Sequence, residues 1–379
     1  MLTLSFALSL LAFAQDANIP HLIEQLGHAD PKVRESAEEQ LRQIGQPAVE
    51  ALRKASNDTD AERAARAKHI AYQIDVQTRG RIACWRNDAI DGPKVLLLDP
   101  DSGQEQQVFQ VPKGSVLQRA DQLYLQWAPR RQKLVVLSEH PGKNDWSVRQ
   151  GWCVHLSDGK SDCFALAGEC LSLASSPSGK EVVFTTGKEQ LDLFDLDRHD
   201  YRQVKTPDIF PAWASWSPDG DLIAFGAESS GTYLLTQRRG DIHKLSEKRL
   251  AMVSFSPNAD ALVGLYHAQS RQAFDLLKID LSTKAVTTLR ENVEWEPPRF
   301  SPDGTRLAFC RKAEAGGVEI VLLDLQTGKE SRLGEGVCPT WDRDGGRIAY
   351  ERKGRIVLAD LKSRTEKELA LAKSPTWSR

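Results

Sequence analysis

Short, wholly apolar runs recur along most of the chain, at Leu134 to Leu137, Val182 to Phe184, Leu222 to Phe225, Leu262 to Leu265, Leu307 to Phe309 and Ile348 to Tyr350. Runs of this length bounded by turn chemistry predict strands buried on both faces. Each run follows a copy of one phrase, clearest as Phe300-Ser301-Pro302-Asp303-Gly304. Proline presets φ, aspartate can bond its own backbone and glycine accepts the positive φ that completes the reversal. The copies begin at Trp127, Ser175, Trp216, Phe255, Phe300, Trp341 and Trp377, with spacings of 48, 41, 39, 45, 41 and 36 residues. A repeat of roughly 40 residues with four short strands predicts a β-propeller, because one four-stranded sheet cannot bury both faces without neighbours. In the sixth unit the predicted strands are Trp295 to Phe300, Arg306 to Arg311, Val318 to Leu323 and Glu330 to Leu333.

The two ends of the repeat region complement each other. Pro375-Thr376-Trp377-Ser378 matches a first strand with no second after it, whereas Arg81 to Trp85, Val95 to Leu98 and Glu105 to Phe109 read as strands two to four with no first. Joining them predicts a mainly β, seven-bladed β-propeller over residues 78–379, closed by the C-terminal strand and free of exposed sheet edges.

Before residue 78 the period changes to that of helices. Asp30-Pro31 supplies a cap and a first-turn proline ahead of Val33, Ala37, Leu41 and Ile44 on one face, and Gly45 ends that helix. Pro47 starts another through Ala48, Val49 and Leu52, and Ala64, Ala67, Ala71 and Ile74 mark a third buried face. The expectation over residues 18–77 is four short helices in two hairpins. With Leu22 to Leu26, Asp30 to Arg34 and Ala37, this segment resembles a HEAT-type helical repeat. The phrase at Trp216 to Phe225 and Phe300 to Phe309 resembles the TolB-type (WD-type) propeller repeat, which implies the propeller fold and, as for TolB, a periplasmic partner protein. TolB itself has six blades and a different N-terminal domain.

Residues Leu2 to Ala14 are apolar, end in Ala12-Phe13-Ala14 and give way to Gln15-Asp16, so 1–14 is expected to be a secretory signal peptide, and the protein periplasmic or secreted. No apolar run is long enough to span a bilayer, so no membrane insertion is expected after signal cleavage. Lys and Arg number 50 against 52 Asp and Glu, which offers nothing for a nucleic-acid partner. Six cysteines match no zinc spacing. Cys153 and Cys163 flank Ser157-Asp158-Gly159-Lys160 almost symmetrically and are a candidate cross-strand disulfide.

Candidate chemistry is sparse. Asp99-Pro100-Asp101-Ser102-Gly103 has the look of a calcium loop, but Asp195, Asp280, Asp324 and Asp360 recur at the same place, which marks a hairpin turn. No Gly-x-Ser-x-Gly elbow and no phosphate-cradling glycine loop occurs. No cofactor, metal or catalytic residue is therefore expected. His140 and His267 fall in loops of one face, which keeps open an oligogalacturonate-lyase-like, carbohydrate-active alternative with a metal in the funnel. A structural surface-assembly module is a third reading. The connections that vary between units are the better guide, since binding sites tend to sit on loops of rigid scaffolds. Arg86 to Lys94, Glu139 to Ser147 and Pro112 to Asp121 are the longest, and they carry Asp88, Arg119, Lys143, Asp145 and Trp146. An exposed Trp146 among mixed charges would suit an envelope or extracellular protein or peptide; packing of Trp146 on its own blade is the alternative. Trp213 and Trp295 are expected to pack between blades.

Overall fold

The computed structural model describes residues 18–78, 80–88, 91–112, 124–128, 133–141, 147–156, 159–165, 172–227, 230–267, 273–314 and 316–377. The predicted signal segment 1–14 lies outside them. The chain divides into two compact units, residues 1–80 and 81–379.

The first unit is helical, with α1 over 18–25, α2 Pro31–Ile44, α3 Gln46–Ala55 and α4 Ala61–Thr78. Asp30 caps α2 by accepting the Lys32 N–H, and Gly45 ends it at φ +73°. Leu22, Leu26, Ala37, Leu41, Val49, Leu52, Ala67, Ile70 and Ile74 share one core, so the periodic faces are the buried ones.

The second unit is antiparallel β-sheet throughout. From Tyr124 onward its described strands form, in chain order, six groups of four, and within each of these every strand bonds its neighbour in sequence. The groups have first strands at Tyr124–Ala128, Ser172–Ser175, Pro211–Trp216, Ala251–Phe255, Arg299–Phe300 and Val337–Trp341, here called units two to seven. Units five and six join into one eight-stranded sheet through a single pair, Val293 with Arg311. Unit one combines both ends of the region. Its strands Ile82–Asp88, Gly92–Leu98 and Glu105–Gln110 are completed by Lys373–Trp377, which pairs Ile82 with Trp377 and Ala83 with Thr376. Each first strand also lies against the first strand of the next unit, the Lys373–Trp377 strand touching both unit seven and unit two.

The repeated phrase builds the joints. Ser217 Oγ bonds the Asp219 carboxylate and accepts the Leu222 N–H at 2.9 Å, and Ser301 does the same with Asp303 and Arg306. Gly220, Gly304 and Gly345 take φ of +80°, +72° and +70° and lie over Pro177, Pro257 and Pro302 of the preceding units. The aromatic residue opening the phrase reaches back as well. Trp216 Nε1 donates to Ala174 O at 3.1 Å, Trp341 Nε1 to Arg299 O at 3.0 Å and Trp127 Nε1 to Thr376 O at 3.0 Å. In each case the acceptor stands one residue before the phrase of the neighbouring unit.

Three expectations are corrected. The first strand of unit six is only Arg299–Phe300, because Pro297 and Pro298 have no N–H to give a ladder; Trp295 stands outside it. Arg86 to Lys94 is mostly strand, with Arg86 opposite Lys94 and Asp88 opposite Gly92, and Glu139 to Ser147 is ladder as far as Pro141 paired with Ser147. Backbone pairing continues past the apolar run because the ladder does not require apolar side chains. Cys153 and Cys163 are free thiols. The hairpin sets Trp152 opposite Cys163 and Cys153 opposite Asp162, so the cysteines are one residue out of register, one buried and one exposed on opposite faces.

Candidate docking surface

In a four-stranded meander the connection from second to third strand and the connection to the next unit leave from the same edge. On that edge of units four to six an aromatic cluster gathers. Trp213 stands in the first strand of unit four at φ +49°, where the ladder slips between Ala212 and Ser215. Met252 and Cys338 hold positive φ at the matching positions of units five and seven, and Ser374 does so in the last strand. A non-glycine residue in this region is costly unless its surroundings impose it, so the recurring slip is a built feature that re-aims these side chains.

Trp295, in the connection to unit six, meets Trp213 edge-to-face at 5.3 Å and Phe274 at 4.6 Å, and Phe274 meets His267 at 5.2 Å. Arg249 stands over the Trp213 ring at 5.6 Å, and Lys248 Nζ is 4.5 Å from the Tyr266 ring centre. Trp295 remains 39% exposed, as does Phe210 before unit four. An indole so exposed while packed against other rings is a preformed apolar surface, and two cations stand over neighbouring rings.

Beside Trp295 the surface turns polar. The Cys338 thiol lies 3.6 Å from Glu296 Oε2, and Glu351 Oε2 accepts the Ser374 N–H at 2.9 Å. Burial raises the pKa of Cys338 and of Glu296, and burial lowers that of Arg299.

Of the residues singled out from sequence, Asp88 is described: its carboxylate pairs with Lys94 Nζ at 3.0 Å across the first hairpin. Arg119, Lys143, Asp145 and Trp146 lie outside the described residues. Sequence reasoning assigned Trp213 and Trp295 to packing between blades. They do touch one another, but Trp295 is also presented to solvent, and the signal for it was the Pro297-Pro298 pair that keeps its segment out of the ladder. Asp99 Oδ1 accepts the N–H groups of Asp101 and Ser102, and Asp195, Asp280, Asp324 and Asp360 repeat the pattern, so these aspartates form turns. Among the described residues no group of three His, Cys, Asp or Glu side chains is placed to hold a metal ion, and no helix is long and apolar enough to cross a membrane.

No model of a known protein family matches the sequence, and no curated protein matches it. Among solved structures, the chain is similar to a 6-phosphogluconolactonase-like protein of Bacteroides uniformis, with a TM-score of 0.54 and 12% identity over 79% of this chain and 98% of that one. It is similar to the dihydro-heme d1 dehydrogenase NirN, with a TM-score of 0.52 and 16% identity over 79% and 74%. TolB from Acinetobacter baumannii gives a TM-score of 0.49 at 18% identity over 85% and 74%. The fold of residues 81–379 is that of the β-propeller proteins.

Proposed function

We propose that the chain is a secreted or periplasmic, non-enzymatic binding scaffold. Its groups of four strands are seven blades of a ring closed by Lys373–Trp377, preceded by a HEAT-like helical segment. It docks an envelope or extracellular protein or peptide on the loop edge of the ring. The contact of consecutive first strands, and the reach of Trp127 to Thr376 in the same relation as Trp341 to Arg299, support closure. The observation that carries the docking reading is Trp295, held against Trp213 and Phe274 yet 39% exposed. Aromatic residues with adjoining cations are over-represented where protein interfaces concentrate their energy. The connections that bear Arg119, Lys143, Asp145 and Trp146 belong to the same edge and are proposed as a second part of the contact.

The test places a photo-crosslinking residue at position 295, and separately at 210, in protein returned to envelope extract. The expected result is one adduct of defined mass from both positions, lost on Trp213→Ala in a variant that melts like the parent. Position-independent adducts, or an adduct indifferent to Trp213→Ala, would refute docking at this surface.

A further inference from the structure

In the inner strands of units four to seven and in the last strand, burial alternates strictly around one position. Ser215, Ser254, Arg299, Thr340 and Thr376 are each accessible while the residues on both sides are buried. All five stand one residue before the repeated phrase, so they share a level of the fold. Because consecutive first strands lie against one another, side chains that leave them away from the sheet interiors face the space those strands surround. That step rests on the ring proposed above, in which first strands line a central passage.

Four of the five residues are hydroxyls and the fifth is a cation. The Arg299 guanidinium makes no hydrogen bond or ion pair among the described residues, although Glu296 lies near enough to attract it. Glu296 is engaged with the Cys338 thiol, and Glu351 with the Ser374 N–H. Arg299 is reached by solvent and yet so enclosed by protein that desolvation lowers its pKa. Exposure with many protein neighbours is what a side chain lining the passage of the proposed ring would have. The hydroxyls of Ser215, Ser254 and Thr376 are likewise without partners among the described residues, whereas Thr340 Oγ1 accepts the Trp377 N–H at 3.1 Å. A guanidinium presents five donors in a fixed fork that matches carboxylate and phosphate geometry, and that of Arg299 is open to a ligand.

We propose that Arg299, with the hydroxyls of Ser254, Ser215 and Thr376, forms an oxyanion-binding site in the passage, taking a carboxylate or phosphate group. The group could come from a free small anion or from the terminus of a bound peptide; the guanidinium and hydroxyls recognise the shared chemistry.

The purified full chain is titrated with inorganic phosphate, sodium acetate, trialanine with a free C-terminus and trialanine amide, each against potassium chloride at equal ionic strength. Binding is read by calorimetry and by the ligand-dependent rise in melting temperature. For a ligand at ten times its Kd the folded-to-unfolded ratio should rise about elevenfold. The increment should vanish in Arg299→Gln, survive in part in Arg299→Lys, and weaken several-fold in the Ser215→Ala, Ser254→Ala pair, which keeps the charge. Trialanine acting where phosphate and acetate do not would identify a peptide terminus as the ligand; phosphate or acetate binding would identify a free anion. No effect of any of the three anions beyond potassium chloride, or an equal increment in Arg299→Gln, would overturn the site. Full affinity in the double serine variant would reduce the site to the guanidinium and overturn the shared passage. The assay needs no protein partner, so its failure is separate from failure of docking at Trp295.

Discussion

Four tryptophans open the repeated phrase, and one of them lacks the bond that the others make. Trp341 Nε1 donates to Arg299 O at 3.0 Å, whereas Trp377 Nε1 is buried with no partner among the described residues. The two are otherwise well matched: Trp341 is 2% and Trp377 3% exposed, and each carries an arginine over its ring, Arg306 at 4.9 Å and Arg347 at 5.4 Å. Replacing either with phenylalanine removes similar ring area from the core, so that cost cancels in a comparison. What remains is the N–H. Trp341→Phe loses a net hydrogen bond worth about 1 kcal/mol, while Trp377→Phe removes an unsatisfied buried donor that costs about 1–3 kcal/mol. Trp377→Phe should therefore be less destabilising than Trp341→Phe by about 2 kcal/mol or more. Trp216→Phe and Trp127→Phe should resemble Trp341→Phe. Urea unfolding followed by circular dichroism avoids the change in tryptophan fluorescence. Equal losses at Trp341 and Trp377 would refute the view that the indole N–H of Trp127, Trp216 and Trp341 fastens its unit to the one before, and that only that of Trp377, at the joint between the last strand and unit seven, is idle.

Removing residues 373–379 should lower the stability of the β unit by about 5 kcal/mol or more, since truncating a single buried Trp costs 3–5 kcal/mol; an unchanged calorimetric transition would argue against closure. Gly226→Ala drives a Cβ to 2.1 Å from Leu250 O, a backbone atom, and should cost about 3 kcal/mol, while Gly240→Ala, open in space but at φ +72°, should cost about 1 kcal/mol by the same unfolding measurement. For Asp99, desolvation opposes ionisation, but the Ser102 N–H and the Arg81 guanidinium outweigh it and hold the pKa at about 2. Its stabilisation is thus complete above the ordinary value of 3.8 and lost as pH falls through about 2. Asp99→Asn should cost on the order of 1–2 kcal/mol at pH 7 and flatten the loss of stability between those limits, measured by thermal melts across pH. Maleimide labelling of native protein should modify exposed Cys163 ahead of Cys84, Cys153 and Cys310, whose pKa values burial raises, that of Cys153 to about 11; peptide mass spectrometry reads the order.

The propeller was legible because its turns carry their own chemistry. Ser301, Asp303 and Gly304 act within six residues, so the phrase predicts the reversal without knowledge of anything distant. Pairing of Trp377 with Ile82 was legible for a different reason, since a lone first strand and a unit without one have a single mutual solution. The aromatic cluster at Trp295 was not legible. Trp213 and Trp295 are 82 residues apart, and what brings them to 5.3 Å is the ladder slip at Trp213 together with the early end of the ladder at Pro297. Neither shows in local hydropathy. The cysteine pair failed on parity alone: near-symmetry about a turn is insufficient when a one-residue offset sends the side chains to opposite faces.

The two edges of the sheets are under different constraints, and this argues for where binding belongs. On the turn edge the side chains are committed to the neighbouring unit. Arg306 Nη2 donates to Gly345 O at 2.7 Å, Arg347 Nη1 to Asp101 at 2.7 Å and Lys367 Nζ to Asp101 O at 2.8 Å, with Gly220, Gly304 and Gly345 each lying over a proline. A substitution there disturbs a joint. The opposite edge holds the connections that differ from unit to unit, and there Trp295 and Phe210 stay exposed although the sheets below them are well packed. A surface free to vary on a scaffold that is not can acquire a ligand without loss of the fold. The aromatic cluster of units four to six therefore lies on the edge where side chains can change with least cost to the scaffold.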